Sequence, residues 1–488
     1  MKQQPLSSSI HSTISYLNSI MSPIRIGLIG LSTNSQGTSW ASAAHLPYLL
    51  SEQGKAHYEI KALCNSSVES AKKSIEHYKL PGEVKAYDSA QDLANDKDID
   101  LVVCVVGVER HYELLKPAVE AGKNIYTELP LASNLDQIRE LVSLAEKKGS
   151  KTMFGSQGQA SPVVKVIKKL IADGKLGKVL STSLKGNSGI AGGDAVPTGY
   201  KYIVVRKAGG NSATIFFLHS FNCLLETFGE LEAFSSVMGI ERPRMNLIDL
   251  KQNGKVVETI DKDTPDNIML QGRFKSGALI NYELRSAAQF PGEPGVRWTI
   301  HGDKGEILVT CPSGMFDINH EGVKIQFHDM SKDSAETIDL PSDSLADLKH
   351  PAQNVGRLYE AYAKGESDSY CDWKLALRRH ELIEEMFQRG DGSEPFGEKA
   401  SYVTKDGSSS GSSTGASSGS IQGSQAEVDA DAQGSILADR EVKPKEITRE
   451  AGSGNTQTTV EALEAEGFGA SSGKNDLSRN GGNRDLAS

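Results

Sequence analysis

Long apolar runs are missing from this 488-residue chain, and none approaches the roughly 20 residues that a membrane-crossing helix requires. Positive charge is in the minority. The 53 Lys and Arg against 63 Asp and Glu leave a net charge of −10. A surface that grips phosphate backbones needs clustered bases, so direct contact with nucleic acid is not expected. Cysteine is sparse and scattered, at Cys64, Cys104, Cys223, Cys311 and Cys371. No pair has the spacing of a metal site or a redox motif, and no metal is expected. Two of these residues fall in apolar runs, so reduced core thiols of a cytoplasmic or nuclear protein are the expectation. The first 22 residues hold no acid and only Lys2 as a strong base. Residues 1–23 read as a disordered extension, since a transit peptide would carry Arg. Gly407–Gly423 is almost wholly Ser and Gly. Such a stretch cannot offset its ordering entropy, so 391–488 reads as a disordered tail. Within it, Val460–Phe468 reads as plain disorder or a short transient helix.

What is present is strongly patterned. Leu101–Val106 is an unbroken apolar run, as a strand buried on both faces of a parallel sheet should be. A turn follows at Gly107. Tyr112, Leu115, Ala118 and Val119 then share one helical face between His111 and Ala121, and Gly122 stops that helix. Asn124–Thr127 is the next strand. Ile24–Leu31, Tyr58–Cys64 and Lys151–Phe154 also read as strands, with helices at Val68–Tyr78 and Leu135–Lys148. Ser133 and Asp136 have the spacing of a capping box before the latter. This alternation predicts an N-terminal, Rossmann-type doubly wound parallel sheet over 24–155.

The pattern changes after Gly158. Ser161–Ala172 reads as a helix. Val179–Leu184, Asn267–Phe274, Ala278–Leu284, Arg297–His301 and Glu306–Thr310 read as strands without long helices between them. They predict an open, mainly antiparallel sheet in a second domain, 156–390. Leu348–Ala363 and Trp373–Phe387 return to helix.

A dinucleotide site needs a tight glycine turn that brings backbone amides to a pyrophosphate. Gly30 fits the first glycine of such a turn, and Ser32 stands where the second is expected. The third has no clean counterpart, because residues are inserted before Ser39-Trp40 and His45-Leu46-Pro47. A bare strand-to-helix turn explains this segment equally well. The second strand ends in Cys64-Asn65-Ser66-Ser67 rather than in an acid. Asn65 and Ser66 are candidates for the ribose. Lys72 and Lys73 are candidates for a 2′-phosphate, or simply solvated helix residues. Gly107, His111 and Glu128 lie at strand ends where a nicotinamide would run.

The order of strand, His-bearing helix, strand and Glu128-Leu129-Pro130-Leu131-Ala132 resembles the Gfo/Idh/MocA family, the relatives of glucose–fructose oxidoreductase and inositol dehydrogenase. The resemblance implies a bound NAD or NADP, a binding role for Glu128, and oxidation of a sugar or polyol. The family motif reads Glu-Lys-Pro, and its Lys does the proton chemistry, but here that position is Leu129. The downstream family His corresponds to His219. The Asp expected four residues before it is Ile215. His219 then stands as a lone base or as a core histidine. Tyr200-Lys201-Tyr202 is upstream, and Lys201 and Tyr202 are candidates for a rebuilt site. One branch of the family, the fungal galactose-regulon repressors, shows the same loss. The chain is similar to that branch at Gly30-Leu31-Ser32 with Trp40, at Ser156–Pro162 and at His301–Gly305.

Three readings follow. The first is a nucleotide-binding regulator that acts through a protein partner, homo-oligomeric like its relatives. The second is an NAD(P)-dependent oxidoreductase with a rebuilt site. The third is a sugar-binding or structural module without a cofactor. Leu129 and Ile215 favour the first over the second, because neither exchanges protons.

Overall fold

The computed structural model describes residues 22–33, 39–189, 192–318 and 321–389. The expected disordered tail, Val460–Phe468 and nearly all of the N-terminal extension lie outside these residues, as does most of the insertion after Thr33. No helix among the described residues is long and apolar enough to cross a membrane.

Six strands form the first sheet: β1 (Ile24–Ile29), β2 (Tyr58–Cys64), β3 (Lys85–Tyr87), β4 (Leu101–Cys104), β5 (Asn124–Thr127) and β6 (Thr152–Phe154). All pair in parallel, in the order β3-β2-β1-β4-β5-β6. This is the doubly wound order, with its switch point between β1 and β4. All four side chains of β4 are buried, as an unbroken apolar run requires. Arg25 ties the opening of β1 to the loop before β4. Its guanidinium donates two hydrogen bonds to Asp100, at 2.9 and 2.7 Å.

Helices α1 (Val68–His77), α2 (His111–Glu120) and α3 (Leu135–Lys148) lie between these strands. The cap of α3 departs from the capping-box expectation. Asn134, not Ser133, is the N-cap, and its Oδ1 accepts from the Gln137 amide at 3.0 Å. After β6 the chain enters α4 (Pro162–Ala172), started by Ser161 and by Pro162 at the first helical position.

The second sheet has eight strands: β7 (Val179–Ser188), β9 (Leu231–Gly239), β12 (Asn267–Phe274), β13 (Leu279–Ser286), β14 (Val296–Gly302), β15 (Gly305–Cys311), β16 (Lys324–Asp329) and β17 (Ala335–Ile338). Their order is β17-β16-β15-β14-β7-β13-β12-β9, and only β7 and β13 pair in parallel. Alternating strands such as β15 bury every second residue against α5 (Leu218–Phe228) and its surroundings. A separate three-stranded sheet joins β8 (Ala195–Pro197), β10 (Arg244–Asp249) and β11 (Lys255–Asp261).

The last two helices turn back to the first sheet. Tyr359 and Leu358 on α6 (Ala352–Lys364) share a core with Ile26, Leu28 and Tyr48. Phe154 at the end of β6 bridges to Cys371, just before α7 (Trp373–Arg389). The expected second domain, 156–390, is therefore covered on its own sheet by α5, while its C-terminal helices cover the first.

Candidate functional site

The carboxyl ends of β1, β4, β5 and β6 open beside the second sheet's helices, where an open α/β sheet binds ligands. Gly30 holds φ at +103°. A Cβ there would lie 2.2 Å from the Val105 carbonyl oxygen, so only glycine lets β1 turn against the end of β4. Two side chains secure the residues that follow. Asn65 Nδ2 donates to the Leu31 carbonyl at 2.8 Å, and the Tyr78 hydroxyl donates to the Ser32 carbonyl at 2.9 Å. Asn65 thus holds the turn with its amide nitrogen. Ser66 is exposed beside it. Trp40 is half-buried and packs on the cores of both faces of the sheet.

His111 opens α2 with both ring nitrogens on backbone carbonyls. Nδ1 lies 2.9 Å from the Pro130 oxygen, and Nε2 lies 3.1 Å from the Val106 oxygen. Burial pushes its pKa down. The ring staples the segment after β4, including Gly107, to the segment after β5.

Glu128 follows β5 and is only 7% exposed. Its Oε1 lies 2.9 Å from His45 Nε2, and His45 Nδ1 lies 2.9 Å from the Tyr359 hydroxyl. The imidazole thus bridges the Glu128 carboxylate and the Tyr359 hydroxyl. A Cβ at Gly155 would meet the Glu128 carboxylate at 2.7 Å. The end of β6 therefore needs its glycine to make room for Glu128. The fully buried Tyr126 and Tyr359 have phenol pKa values pushed well up, first by burial and then by the charge of Glu128.

Leu129, at the position of the family's Lys, is buried in the apolar core. Ile215 lies in a π-helical turn, Ala213–Phe217, and packs on the same core. A second π turn, Ala41–His45, ends at His45. Such turns shift a helix by one residue and recur at functional sites. His219, the second residue of α5, is 6% exposed. Its Nδ1 lies 3.7 Å from Asp317 Oδ2, beyond hydrogen-bond reach, and makes no hydrogen bond. Asp317 Oδ2 accepts from Gln157 Nε2 at 3.0 Å, and Asn222 Nδ2 donates to Ser156 Oγ at 3.0 Å.

The other two candidate acid–base residues are Lys201 and Tyr202. Lys201 is half-exposed, and its ammonium is paired with Glu258 on β11 at 3.0 Å. The ion pair ties it to the small three-stranded sheet. Tyr202 packs its ring against Gly210, and burial pushes its phenol pKa up.

Residues 24–156 match the family described as "Oxidoreductase family, NAD-binding Rossmann fold". Residues 162–311 match "Gal80p, C-terminal domain". A dehydrogenase of Aspergillus oryzae, aclE, is 30% identical over 294 residues, covering 60% of this chain and 78% of its own. The chain belongs to the Gfo/Idh/MocA oxidoreductase family. The galactose/lactose metabolism regulatory protein GAL80 of Kluyveromyces lactis is 29% identical over 61% of this chain, and the match spans 66% of that protein's length. The fold is that of a solved super-repressor mutant of Gal80p from Saccharomyces cerevisiae. The TM-score is 0.67 at 24% identity, covering 75% of this chain and 96% of that one.

Proposed function

We propose that the chain binds NAD or NADP at the Gly30 turn and acts as a Gal80-like regulator through a protein partner. The observation that carries this reading is the contrast between the two parts of the cleft. The turn keeps the glycine that leaves room for a backbone to approach a pyrophosphate. The two positions where the family places its Lys and Asp are aliphatic and packed into the core. A concave site that has lost the family's Lys and Asp can still bind, and dinucleotide occupancy can bias an interface by differential affinity. Matches to the GAL80 proteins and to the Gal80p C-terminal domain support the regulator assignment.

Gly30, Ser32, Trp40, Asn65 and Ser66 would hold the adenosine half and the pyrophosphate. Gly107, His111 and Glu128 would border the nicotinamide half. When bound, the nicotinamide supplies a redox-active ring, and the chain's residues only seat it. The end of β2 carries Asn65 in place of the usual acid, so the carboxylate that would exclude a 2′-phosphate is missing at that position, while burial first, and then the nearby charges of Asp88 and Asp92, push the thiol pKa of Cys64 up.

The test is affinity purification with and without NAD(P), joined to calorimetry with each dinucleotide. Nucleotide-dependent recovery of a transcription-related partner is the expected result. Absence of binding at millimolar concentration defeats the nucleotide reading. Robust cofactor reduction with a common sugar, lost on His219→Ala, would put an oxidoreductase of the aclE kind ahead.

A further inference from the structure

The family's catalytic Asp is gone at Ile215, yet His219 is not without a carboxylate. Asp317 reaches it from a different part of the chain, the short turn Phe316–Ile318 after β15. Asp317 is 2% exposed and sits 3.7 Å from His219 Nδ1 through its Oδ2. It is held from two sides. Gln157 donates to its carboxylate at 3.0 Å, and Asn354 on α6 donates to its backbone carbonyl at 2.6 Å. Arg357 in turn holds Asn354 and is fixed by Asp343.

The imidazole is oriented by this arrangement. Nδ1 is buried and faces Asp317 Oδ2 at 3.7 Å, just beyond hydrogen-bond reach, and it makes no hydrogen bond to any other group. Ser156, Gln157 and Gly158 join the end of β6 to this floor. A Cβ at Gly158 would meet Cys223 Sγ at 2.5 Å and Asp317 Cβ at 2.9 Å. Gly158 therefore packs directly on Cys223 and Asp317. The charged and titratable neighbours are few. Cys223 and His219 lie on α5, Glu226 is one turn further on, and Tyr282 faces the pair from β13.

We propose that Asp317 is the positioning carboxylate of His219, supplied from the second sheet in place of the one missing at Ile215. With Asp317 facing Nδ1, His219 carries its proton on Nδ1 and presents the Nε2 lone pair to the cleft. A carboxylate behind an imidazole fixes its tautomer and so turns the outer nitrogen's lone pair outward as an acceptor. The ligand chemistry that fits is a hydroxyl donating to Nε2. The cleft has thus lost its lysine and kept an oriented base. This step rests on the reading above only for the identity of the space that Nε2 faces.

The test is nitrogen and carbon NMR of histidine-labelled full-length protein without cofactor, with the His219 signals assigned from His219→Gln. The wild-type chain alone gives the first readout. The Nδ1-protonated tautomer is expected, and an Nε2-protonated ring overturns the proposal. The second readout is the tautomer ratio in variants. Asp317→Ala should lower the ratio of Nδ1- to Nε2-protonated ring about tenfold, as loss of the group facing Nδ1 does. Asp317→Glu should restore most of it. An unchanged ratio in a folded Asp317→Ala protein also overturns it. Should that variant fail to fold, the wild-type tautomer decides. Both readouts use cofactor-free protein, so failure of NAD(P) binding in calorimetry leaves them intact, and their failure leaves nucleotide binding intact.

Discussion

Two glycines at the ends of adjacent strands differ in what they tolerate. Gly30 combines a left-handed φ of +103° with a Cβ position 2.2 Å from a carbonyl oxygen. Gly30→Val should cost about 1–3 kcal/mol from backbone strain, with more from the clash, and should abolish dinucleotide binding. Urea unfolding and calorimetry read the two effects. Gly107 has an ordinary φ of −58°. A Cβ there would meet only the Glu109 carboxylate, the free end of a flexible side chain. Gly107→Ala should leave the unfolding midpoint nearly unchanged. His380 makes a second residue-scale prediction. Its Nδ1 is 2.8 Å from the Ala376 carbonyl, and its Nε2 accepts from the Leu131 amide at 3.3 Å. Only the neutral ring satisfies both. Burial accordingly pushes its pKa down to about 4. The unfolded chain takes up a proton near pH 6.5 and the folded chain does not until about pH 4. Stability contributed by His380 is therefore full above about pH 6.5 and is lost as pH falls through that window. The loss is about 3 kcal/mol at roughly 1.4 kcal/mol per unit. His380→Gln should flatten the fall measured by urea unfolding at about pH 7 and about pH 4.5.

At the scale of elements, what could be read in the sequence was set by burial. β2, β5 and α3 have the bounds that apolar runs and helical spacing predict, because each buries a continuous or periodic set of side chains. β10 and β11 escaped notice because β11 is exposed along most of both faces and leaves no alternation to see. The expected strand at Leu101–Val106 ends earlier, at Cys104, where the chain turns toward the cleft. The site was legible only where it is local. Gly30, His111 and Glu128 announce themselves by position at strand ends. His45, Tyr359 and Asp317 do not, because their partners Glu128 and His219 are far away in sequence and are met only in the folded chain. Tyr78 belongs to the same class. It stands at the end of α1 and holds the Ser32 carbonyl across the nucleotide turn. Tyr78→Phe removes one hydrogen bond of about 1 kcal/mol. Stability should fall by that amount, and NAD(P) affinity by about fivefold, in paired denaturation and calorimetry.

At the scale of the molecule, the first sheet is completed by the last helices. Tyr359 is buried among Tyr48, Tyr58 and Tyr126 with ring centroids 5.1–5.4 Å apart. Trp373, Ile383 and Met386 on α7 are buried against the other face. Arg379 on α7 makes two hydrogen bonds to Glu230 at the start of β9, at 2.9 and 2.7 Å. One helix therefore holds both sheets, and the described chain should unfold in a single transition. The Ser- and Gly-rich sequence beyond Tyr402 offers no apolar face to join this core. Two truncations separate these claims. A chain ending at Lys405 should melt with the full-length protein. It should also show the same stabilisation by dinucleotide, about 2.7 kcal/mol at a hundredfold excess over Kd. A chain ending at Glu366 loses α7, exposes the core beside β6 and should not fold cooperatively. A lower melting temperature for the Lys405 chain would show that the tail docks on the folded body. A cooperative transition in the Glu366 chain would show that the first sheet closes without α7.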